Sequence, residues 1–422
     1  MPHPGARDLA VILAASWLAR ALFVAAIGDA HSVDVDHWRG ALDYQDAGRN
    51  PYESGVLNWP PLWLVVLVGL DTVANHVDLS LLTVLRLYLV LVESALAVTL
   101  YLTLVSAGAP RVAVRRALLV GIALNPIAII LVCQHGNSDV QVGLLVTLAV
   151  AALLAHRRSR DVVHWLLACL LLGVGVLAKT VPLVLSPVLV PGSRLASTTG
   201  KTLGATLFVG PAALGVGVIL ALTPRAVVDH VIRYRSTRGY FGVSGVLDEH
   251  FLGDLSVRFE SLTGIDLRER YGTVFTLAVL ALVVWLARRL WREPPLPADR
   301  LFLLVAVILM AIVALGPGYG PQYAYWFLPA LVATYVLLDA AWRWLLLGTY
   351  AIAAITYAVE YAFVPWLGAY ASAIVGDSNR VTRISDYLGD PQHLTLLRAP
   401  LFAAYVVLVA AGIARLRADG AR

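Results

Sequence analysis

Two aspartates stand close together just after the first apolar run of the chain. Asp34 and Asp36 form an Asp-x-Asp pair in the polar segment 28–61, which follows the apolar run 9–27. Such a carboxylate can act as general base towards a hydroxyl group, because a neighbouring carboxylate and partial burial raise its pKa. The two together can also hold a divalent cation through oxygen ligands. A solvated acidic turn would show the same pair, so that interpretation is kept beside the chemical one.

The same segment and a second polar turn add groups that could bind a substrate. Segment 28–61 carries Gly48-Arg49-Asn50-Pro51-Tyr52 and returns to apolar sequence at Trp59-Pro60-Pro61. Further on, an Asn125-Pro126 interruption is followed by the compact turn 135–139. A hairpin between two helices needs only a few polar residues. Five polar or small residues in one turn exceed that need, and from the two segments we predict these substrate-binding residues: Arg49, Tyr52, His135, Asn137 and Asp139.

Cations stand at two places where a phosphate could be bound. Lys179, one of two lysines, ends an apolar run, where a charge is costly and indicates either a functional site or snorkelling to the headgroups. In 223–272, arginines alternate with aromatic residues, a composition suited to phosphate and sugar or to a helix on anionic headgroups. The predicted donor-phosphate-binding residues are Lys179, Arg233, Arg235 and Arg238.

A last group begins an apolar run after a Gly/Pro turn. Gln322, Tyr323 and Trp326 are predicted to bind substrate. An aromatic belt at the membrane surface would explain the tyrosine and the tryptophan but not the glutamine.

These residues must be positioned by membrane-spanning helices. Of the 422 residues, 59% are hydrophobic and 14% are charged, against about a quarter charged in soluble domains. We therefore predict an all-α, polytopic integral membrane protein with about twelve transmembrane helices, at 9–27, 81–106, 117–134, 140–155, 163–178, 181–191, 203–222, 273–288, 301–315, 324–340, 345–363 and 400–415. A short run at 62–70 is predicted to be re-entrant or interfacial.

Arginine in the short loops sets the predicted orientation. With twelve spans, the arginine-bearing loops and the N-terminus all fall on the cytoplasmic side. The long segments 28–61, 223–272 and 364–399 then lie outside, together with the turns near 135–139 and 316–323. Counting 163–191 as one span would reverse every later loop.

Charge and cysteine content exclude other classes. The net charge of +5 comes without a basic stretch free of apolar sequence, so no nucleic-acid partner is expected. The two cysteines lie in apolar runs and form neither a disulfide framework nor a metal-ligand spacing.

In their order along the chain, these motifs resemble the GT-C superfamily of membrane glycosyltransferases, which use lipid-phosphate sugars. They are similar to the family of the catalytic subunit of glycosylphosphatidylinositol mannosyltransferase I (PIG-M). The likeness covers Asp34–Trp38, Gly48–Tyr52, Trp59–Leu62, Asn125-Pro126, Gly136–Asp139, Lys179–Pro182 and Gln322–Trp326. The Arg-Tyr-Arg-Ser stretch at 233–236 looks more like bacterial polyprenol-phosphate-mannose-dependent mannosyltransferases.

The resemblance implies one GT-C domain over 1–422, with 28–61 as catalytic loop, 223–272 as donor-phosphate loop and 364–399 as third outer loop. It implies a mannosyltransferase of glycolipid biosynthesis in the plasma membrane, with its active site on the extracytoplasmic face. The donor would be a polyprenyl- or dolichyl-phosphate sugar and the acceptor a glycolipid or glycan hydroxyl. Asp34 would be the base, ahead of Asp36, and transfer would invert the anomeric configuration.

Several alternatives stay open at this point. The sugar could be glucose or arabinose, and the chain could be a flippase or transporter of lipid-linked sugars, or a non-catalytic subunit. A divalent cation is left open as cofactor, and an accessory membrane subunit is left open as partner.

Overall fold

In the computed structural model, the described residues are 4–228, 261–264, 267–316, 320–359 and 391–420, and they contain helices but no strand. The predicted all-helical class is thus confirmed for this part of the chain. The α-helices are α1 Pro4–Ile27, α2 Val33–Asp46, α3 Pro61–His76, α4 Leu81–Ser106, α5 Arg111–Leu118, α6 Pro126–Ile130, α7 Asp139–Ser159, α8 Val162–Ala178, α9 Val190–Ser193, α10 Thr198–Leu222, α11 Pro224–Val227, α12 Leu267–Leu290, α13 Ala298–Leu315, α14 Ala324–Leu337, α15 Ala340–Ala358 and α16 Pro391–Gly420. Short 3₁₀ helices cover Pro51–Ser54, Val181–Leu189 and Pro321–Tyr323, and π-helical turns cover Leu119–Ala123 and Leu131–His135.

The chain divides into two compact units. The first comprises Met1–Tyr234, Val283–Val305 and Tyr325–Leu337, and the second comprises Arg235–Leu282, Ala306–Ala324 and Leu338–Arg422. Helices α1–α11 belong to the first unit, which also holds the Asp-x-Asp pair and the turn 135–139. The prediction of one GT-C domain over the whole chain stays a prediction.

Seven described helices are long and apolar enough to cross a membrane, and an eighth crossing arises if one bent pair is counted as a single span. The seven are Gly5–Ile27, Leu81–Ser106, Asp139–Ser159, Thr198–Leu222, Tyr271–Leu290, Ala298–Leu315 and Arg398–Ala418, and the bent pair is Arg111–Ala123 with Pro126–His135. The other predicted spans coincide with shorter apolar helices (Val162–Ala178, Val181–Ser193, Ala324–Leu337) or with α15. The helices are those of a membrane protein, and the count of twelve stays a prediction.

The proline-containing segment after α8 returns the chain to the end of the helix bundle from which α8 started. Trp165 near the start of α8 donates its indole N–H to Leu189 O at 2.9 Å, and His156 Nε2 lies 3.3 Å from Gly192 O. A 3₁₀ helix rises about 2.0 Å per residue against 1.5 Å for an α-helix. The thirteen residues 181–193 therefore extend about 24 Å, close to the roughly 25 Å of α8. The two segments are thus of similar length, and counting 163–178 and 181–191 as separate crossings stays a prediction.

Helix ends that the arginine distribution places on the same side also contact each other. On the predicted cytoplasmic side, Asp8 accepts hydrogen bonds from Tyr101 at 3.0 Å and from Arg115 at 2.9 Å. Arg158 at the end of α7 donates to Ser106 O at the end of α4, at 3.1 Å. These contacts bring the arginine-bearing ends of α5 and α7 to the ends of α1 and α4, and the twelve-span topology stays a prediction.

The first outer segment is folded rather than an extended loop. Helix α2 occupies much of it, and its Trp38 packs edge-on against Trp59 and Trp63, with ring centroids 5.8 and 5.1 Å apart. All three rings are buried. Edge-to-face aromatic pairs of this kind stabilise by about 0.5–1.5 kcal/mol beyond their buried area. They fix α2 against the start of α3.

A buried ion pair joins α1 to α4. Arg20 Nε lies 2.5 Å from Glu93 Oε2, and both side chains are almost fully buried. Tyr325 of α14 donates its hydroxyl to Glu93 Oε1 at 3.2 Å. An unpaired charge buried between these apolar helices would be costly, and the pairing of Arg20 with Glu93 offsets that cost.

The guanidinium of Arg20 also compensates for the break before α6. Pro126 has no N–H for Ile122 O, and the N–H of Ile127, which would reach Ala123 O in a continuous helix, instead donates to the Asn125 side chain. Arg20 donates to Ala123 O at 2.7 Å and to Ile122 O at 3.3 Å. Arg20 therefore supplies donors that the Asn-Pro break removes.

We expect Arg20→Met to lower the free energy of unfolding by about 3–5 kcal/mol, the usual cost of removing one partner of a buried pair. The double variant Arg20→Met/Glu93→Leu should recover only part of this loss, because the carbonyls near Pro126 stay without their donor. Thermal unfolding of the purified protein in detergent measures both, with the exposed Arg116→Met as control. Full recovery in the double variant would show that the carbonyl contacts contribute nothing.

Candidate functional site

The carboxylate of Asp34 is bound by two side chains of the turn 135–139. His135 Nε2 lies 3.0 Å from Asp34 Oδ2, and Asn137 donates its amide N–H to the same oxygen at 2.8 Å. Within the described part of the chain, both hydrogen bonds go to Oδ2. The Asp34 side chain is 18% exposed, so its carboxylate is fixed in orientation and still accessible.

Backbone contacts of Ser32 place Asp34 beside this turn. Ser32 donates its N–H to Gln134 O at 3.0 Å and its hydroxyl to His135 O at 2.9 Å. Ser32 immediately precedes α2, so Asp34 is the second residue of that helix. The positive end of the helix dipole favours a carboxylate at this position.

A glycine allows the turn to approach α2 closely. Gly136 has φ of 62°, a left-handed conformation that side chains rarely adopt. A Cβ at this position would lie 3.2 Å from Val35 and 3.3 Å from Leu85. Both the backbone angle and the lack of space favour glycine between His135 and Asn137.

A buried arginine joins three chain segments beneath the site. Arg86 of α4 donates to Cys133 O at 2.6 Å, to Gly28 O at 2.8 Å and to Ala30 O at 2.8 Å. The planar guanidinium presents several donors in fixed directions, which a lysine cannot do. Arg86 therefore holds the residues that follow α1 against the end of the interrupted helical segment 111–135.

A second group lies at the start of α7. Asp139 is fully buried, and its Oδ1 accepts from Lys179 Nζ at 2.6 Å and from Trp326 Nε1 at 2.8 Å. The ammonium also lies 4.9 Å from the centroid of the Trp326 ring, within the range of a cation–π contact. The Lys179 side chain is 14% exposed. The charge of Lys179 is thus balanced by a carboxylate.

The surroundings of Asp34 keep it ionised. Burial by itself would raise the pKa of Asp34, because desolvation disfavours the charged form. The hydrogen bond and charge of His135, the charge of Lys179 and the hydrogen bond from Asn137 act in the opposite direction. The net result is a pKa below the ordinary 3.8. The sequence-based expectation of a raised pKa is therefore wrong, because the donors outweigh burial.

Three predicted residues of the first outer segment lie apart from this group. Asp36 is 58% exposed, and its Oδ1 lies 2.9 Å from His31 Nε2. Arg49 stacks over the ring of Tyr44 at 4.8 Å. Tyr52 is buried and donates its hydroxyl to Trp59 O at 3.1 Å, and burial raises its pKa.

The other predicted residues lie in the second unit or outside the described residues. Gln322 and Tyr323 lie in the short helix Pro321–Tyr323 of the second unit. The donor-phosphate residues Arg233, Arg235 and Arg238 lie outside the described residues, as does most of 364–399.

The described residues hold no group of three or more His, Cys, Asp and Glu side chains that could bind a metal ion. A divalent cation as cofactor stays open.

Sequence reasoning missed Ser32 and Arg86, which position the site. An arginine inside the predicted span 81–106 was available as an indication, since charges in spans are rare and usually serve a purpose. Ser32 gave no comparable indication.

No protein-family model matches the chain, and no curated protein matches it either. Arguments about its function therefore rest on its own residues and their geometry.

We expect Lys179→Met alone to destabilise the protein by about 3–5 kcal/mol, because it leaves the fully buried Asp139 carboxylate without its cation. Lys179→Met/Asp139→Asn should restore most of the stability, since neither charge remains. Unfolding temperatures of the two variants, compared with the exposed-lysine control Lys201→Met, measure the effect. A single variant as stable as the double one would show that the ion pair does not matter for folding.

Proposed function

We propose that the chain is a membrane glycosyltransferase of the GT-C type, which transfers a sugar from a polyprenyl-phosphate donor to an acceptor hydroxyl. Mannose is the proposed sugar, and a glycolipid or glycan is the proposed acceptor. The observation that carries the proposal is the Asp34 carboxylate, partly exposed at the helix ends and held by His135 and Asn137 through one oxygen.

Asp34 is the general base in this proposal. Its Oδ2 is occupied by the two donors, so Oδ1 accepts the proton of the acceptor hydroxyl. The acceptor oxygen then bonds to the anomeric carbon as the bond from that carbon to the phosphate oxygen breaks, and the configuration inverts. A general base supplies roughly 10²–10⁴-fold of the rate.

His135 and Asn137 position the base and keep it ionised. Both donate to Asp34 Oδ2, and His135 makes the larger contribution to lowering its pKa. A carboxylate whose orientation is fixed before the substrate arrives loses little entropy in the reaction.

The phosphate that leaves needs a cation. Lys179 binds Asp139, which belongs to the same turn as His135 and Asn137, and its charge lowers the pKa of Asp34. In the described structure Asp139 binds this ammonium. A donor phosphate would therefore share Lys179 with Asp139, and Arg233, Arg235 and Arg238 are the further cations proposed for it.

The proposed location is the plasma membrane, with the site on the extracytoplasmic face. Asp34, the turn 135–139 and Lys179 all lie in segments that the arginine distribution places outside, and they contact one another. The opposite helix ends carry the arginine-bearing loops.

The alternative of a flippase or transporter predicts charges near the middle of the membrane that reach the substrate. The buried charged pair within the spans, Arg20 and Glu93, is 2% and 1% exposed. Arg20 binds Glu93 and backbone carbonyls, and Glu93 also accepts from the Tyr325 hydroxyl. That pair is closed to a substrate, which favours the enzyme over the transporter.

Asp34→Asn should lower sugar transfer by about 10²-fold or more while the protein stays folded, because the amide keeps the shape but cannot accept the proton. The assay follows radiolabelled mannose from synthetic polyprenyl-phosphate mannose to a membrane lipid and glycan extract. Asp36→Asn is the matched control, since Asp36 lies two residues away and is bonded to His31 instead. Near-normal transfer by the Asp34 variant would remove it as base. Movement of the donor across vesicles without transfer would favour the transporter.

Transfer should persist as the pH falls to the ordinary aspartate range, because the lowered pKa keeps Asp34 charged. His135→Ala removes the largest group that lowers this pKa, so burial then dominates. The acid limb of kcat/KM should move to higher pH in that variant. An acid limb that stays in place or moves to lower pH would contradict the role given to His135.

A further inference from the structure

A cavity lies at the end of the first unit opposite Asp34. It encloses about 390 Å³ among the ends of α4, α7 and α14 and the start of α13. Arg157, which lines it, stands eighteen residues after Asp139 on the same helix, which corresponds to roughly 27 Å. The cavity is therefore separate from the proposed catalytic site.

Both signs of charge line this cavity. Arg157 and Arg158 come from the last turn of α7, and Asp299 comes from the first turn of α13. Arg158 is oriented by its hydrogen bond to Ser106 O at 3.1 Å. In the described part of the chain, none of these three side chains forms an ion pair with another residue. Cationic and anionic groups thus face one space without neutralising each other.

Apart from Ser106, the remaining lining is apolar, and the cavity lies at the level where spans end. Leu154 and Leu337 contribute to the wall of the cavity. The ends of α4 and α7, two helices of spanning length, mark the boundary between hydrocarbon and headgroups. A molecule here would meet charged groups at one end and apolar side chains at the other.

These features match a dipolar lipid headgroup. Guanidinium groups bind phosphate oxygens through paired, charge-assisted hydrogen bonds. A carboxylate binds a primary ammonium, which donates hydrogen bonds, better than a quaternary one, which has no N–H. Basic pockets between helices at the cytoplasmic surface are suited to lipid headgroups. An anionic headgroup alone would leave Asp299 facing a like charge.

We propose that this cavity binds a phospholipid headgroup that carries both a phosphate and a primary ammonium, as in an ethanolamine phospholipid. Arg157 and Arg158 hold the phosphate, Asp299 holds the ammonium, and Leu154 and Leu337 contact the upper part of the acyl chains. The site is predicted to face the cytoplasmic leaflet.

The test uses the full-length protein in detergent and measures lipid retention by native mass spectrometry. Ethanolamine, choline and glycerol phospholipids with identical acyl chains are offered in turn. The ethanolamine lipid should bind about tenfold more tightly than the choline lipid, the effect of losing one charged hydrogen bond. Equal binding of the two would overturn the proposal.

Variants assign the residues. Arg157→Gln/Arg158→Gln should lose at least about tenfold in affinity for the ethanolamine lipid, and Asp299→Asn should abolish the preference for ethanolamine over choline. The matched control is Arg116→Gln, an exposed arginine that does not line the cavity. If the control lost as much affinity for the ethanolamine lipid as the Arg157/Arg158 variant does, the assignment of the lipid to this cavity would be wrong.

Two further outcomes identify a different ligand. Preferred binding of the glycerol lipid, strengthened by Asp299→Asn, would show an anionic lipid site and overturn the dipolar assignment. Displacement of the lipid by free phosphoethanolamine at comparable concentration would show a soluble ligand instead of a lipid. Neither measurement depends on sugar transfer, so this proposal can fail while the proposed activity holds.

Discussion

Backbone carbonyls that lose their partners inside an apolar medium must find other donors, and the first unit is arranged around this requirement. The helical segment 111–135 breaks at Asn125-Pro126 and ends at Gly136. At the first break Arg20 donates to the freed carbonyls, and at the second Arg86 and Ser32 do so. An unsatisfied group in hydrocarbon costs several kcal/mol. The contacts that remove this cost also bring α2 beside His135, and Asp34 with it.

Two carboxylates of the site consequently occupy different environments. Asp34 is partly exposed, and the amide of Asn137 and the imidazole of His135 bind one of its oxygens. Asp139 is fully buried and receives an ammonium and an indole. Only Asp34 has both an accessible oxygen and a fixed orientation, which suits proton transfer. Asp139 suits the structural task of holding Lys179 and Trp326 at the start of α7.

Hydropathy predicted where the helices lie, because burial in lipid requires long apolar runs whatever the tertiary contacts. It did not predict that α2 would form within 28–61, because its faces are decided by packing against Trp59 and Trp63. Residue types predicted Asp34, His135 and Asn137 individually. Their meeting depends on contacts between positions about a hundred residues apart, such as Ser32 with His135. No local pattern encodes those contacts.

The cations were the least predictable part. Lys179 was expected to face a ligand phosphate, and its pairing with Asp139 arises only when α7 and α8 lie side by side. In the sequence, Arg86 and Arg20 are isolated arginines inside apolar runs. Their role can be assigned only when the helix breaks in 111–135 are known. Sequence alone gives the number of such charges, whereas the fold decides which carbonyl or carboxylate each one meets.

The segment 181–193 reaches from the end of α8 to the level of Trp165 with few residues, because its prolines prevent a tighter helix. Pro187 has no N–H for the carbonyl four residues earlier, so the segment cannot relax into a continuous α-helix. The change in rise of about 0.5 Å per residue would shorten Val181–Leu189 by roughly 4–5 Å. Gly192 would then be drawn away from Trp165 and His156, which it packs against. The prolines thus set the length of the segment. That length in turn sets the level in the bundle at which the chain turns into α10.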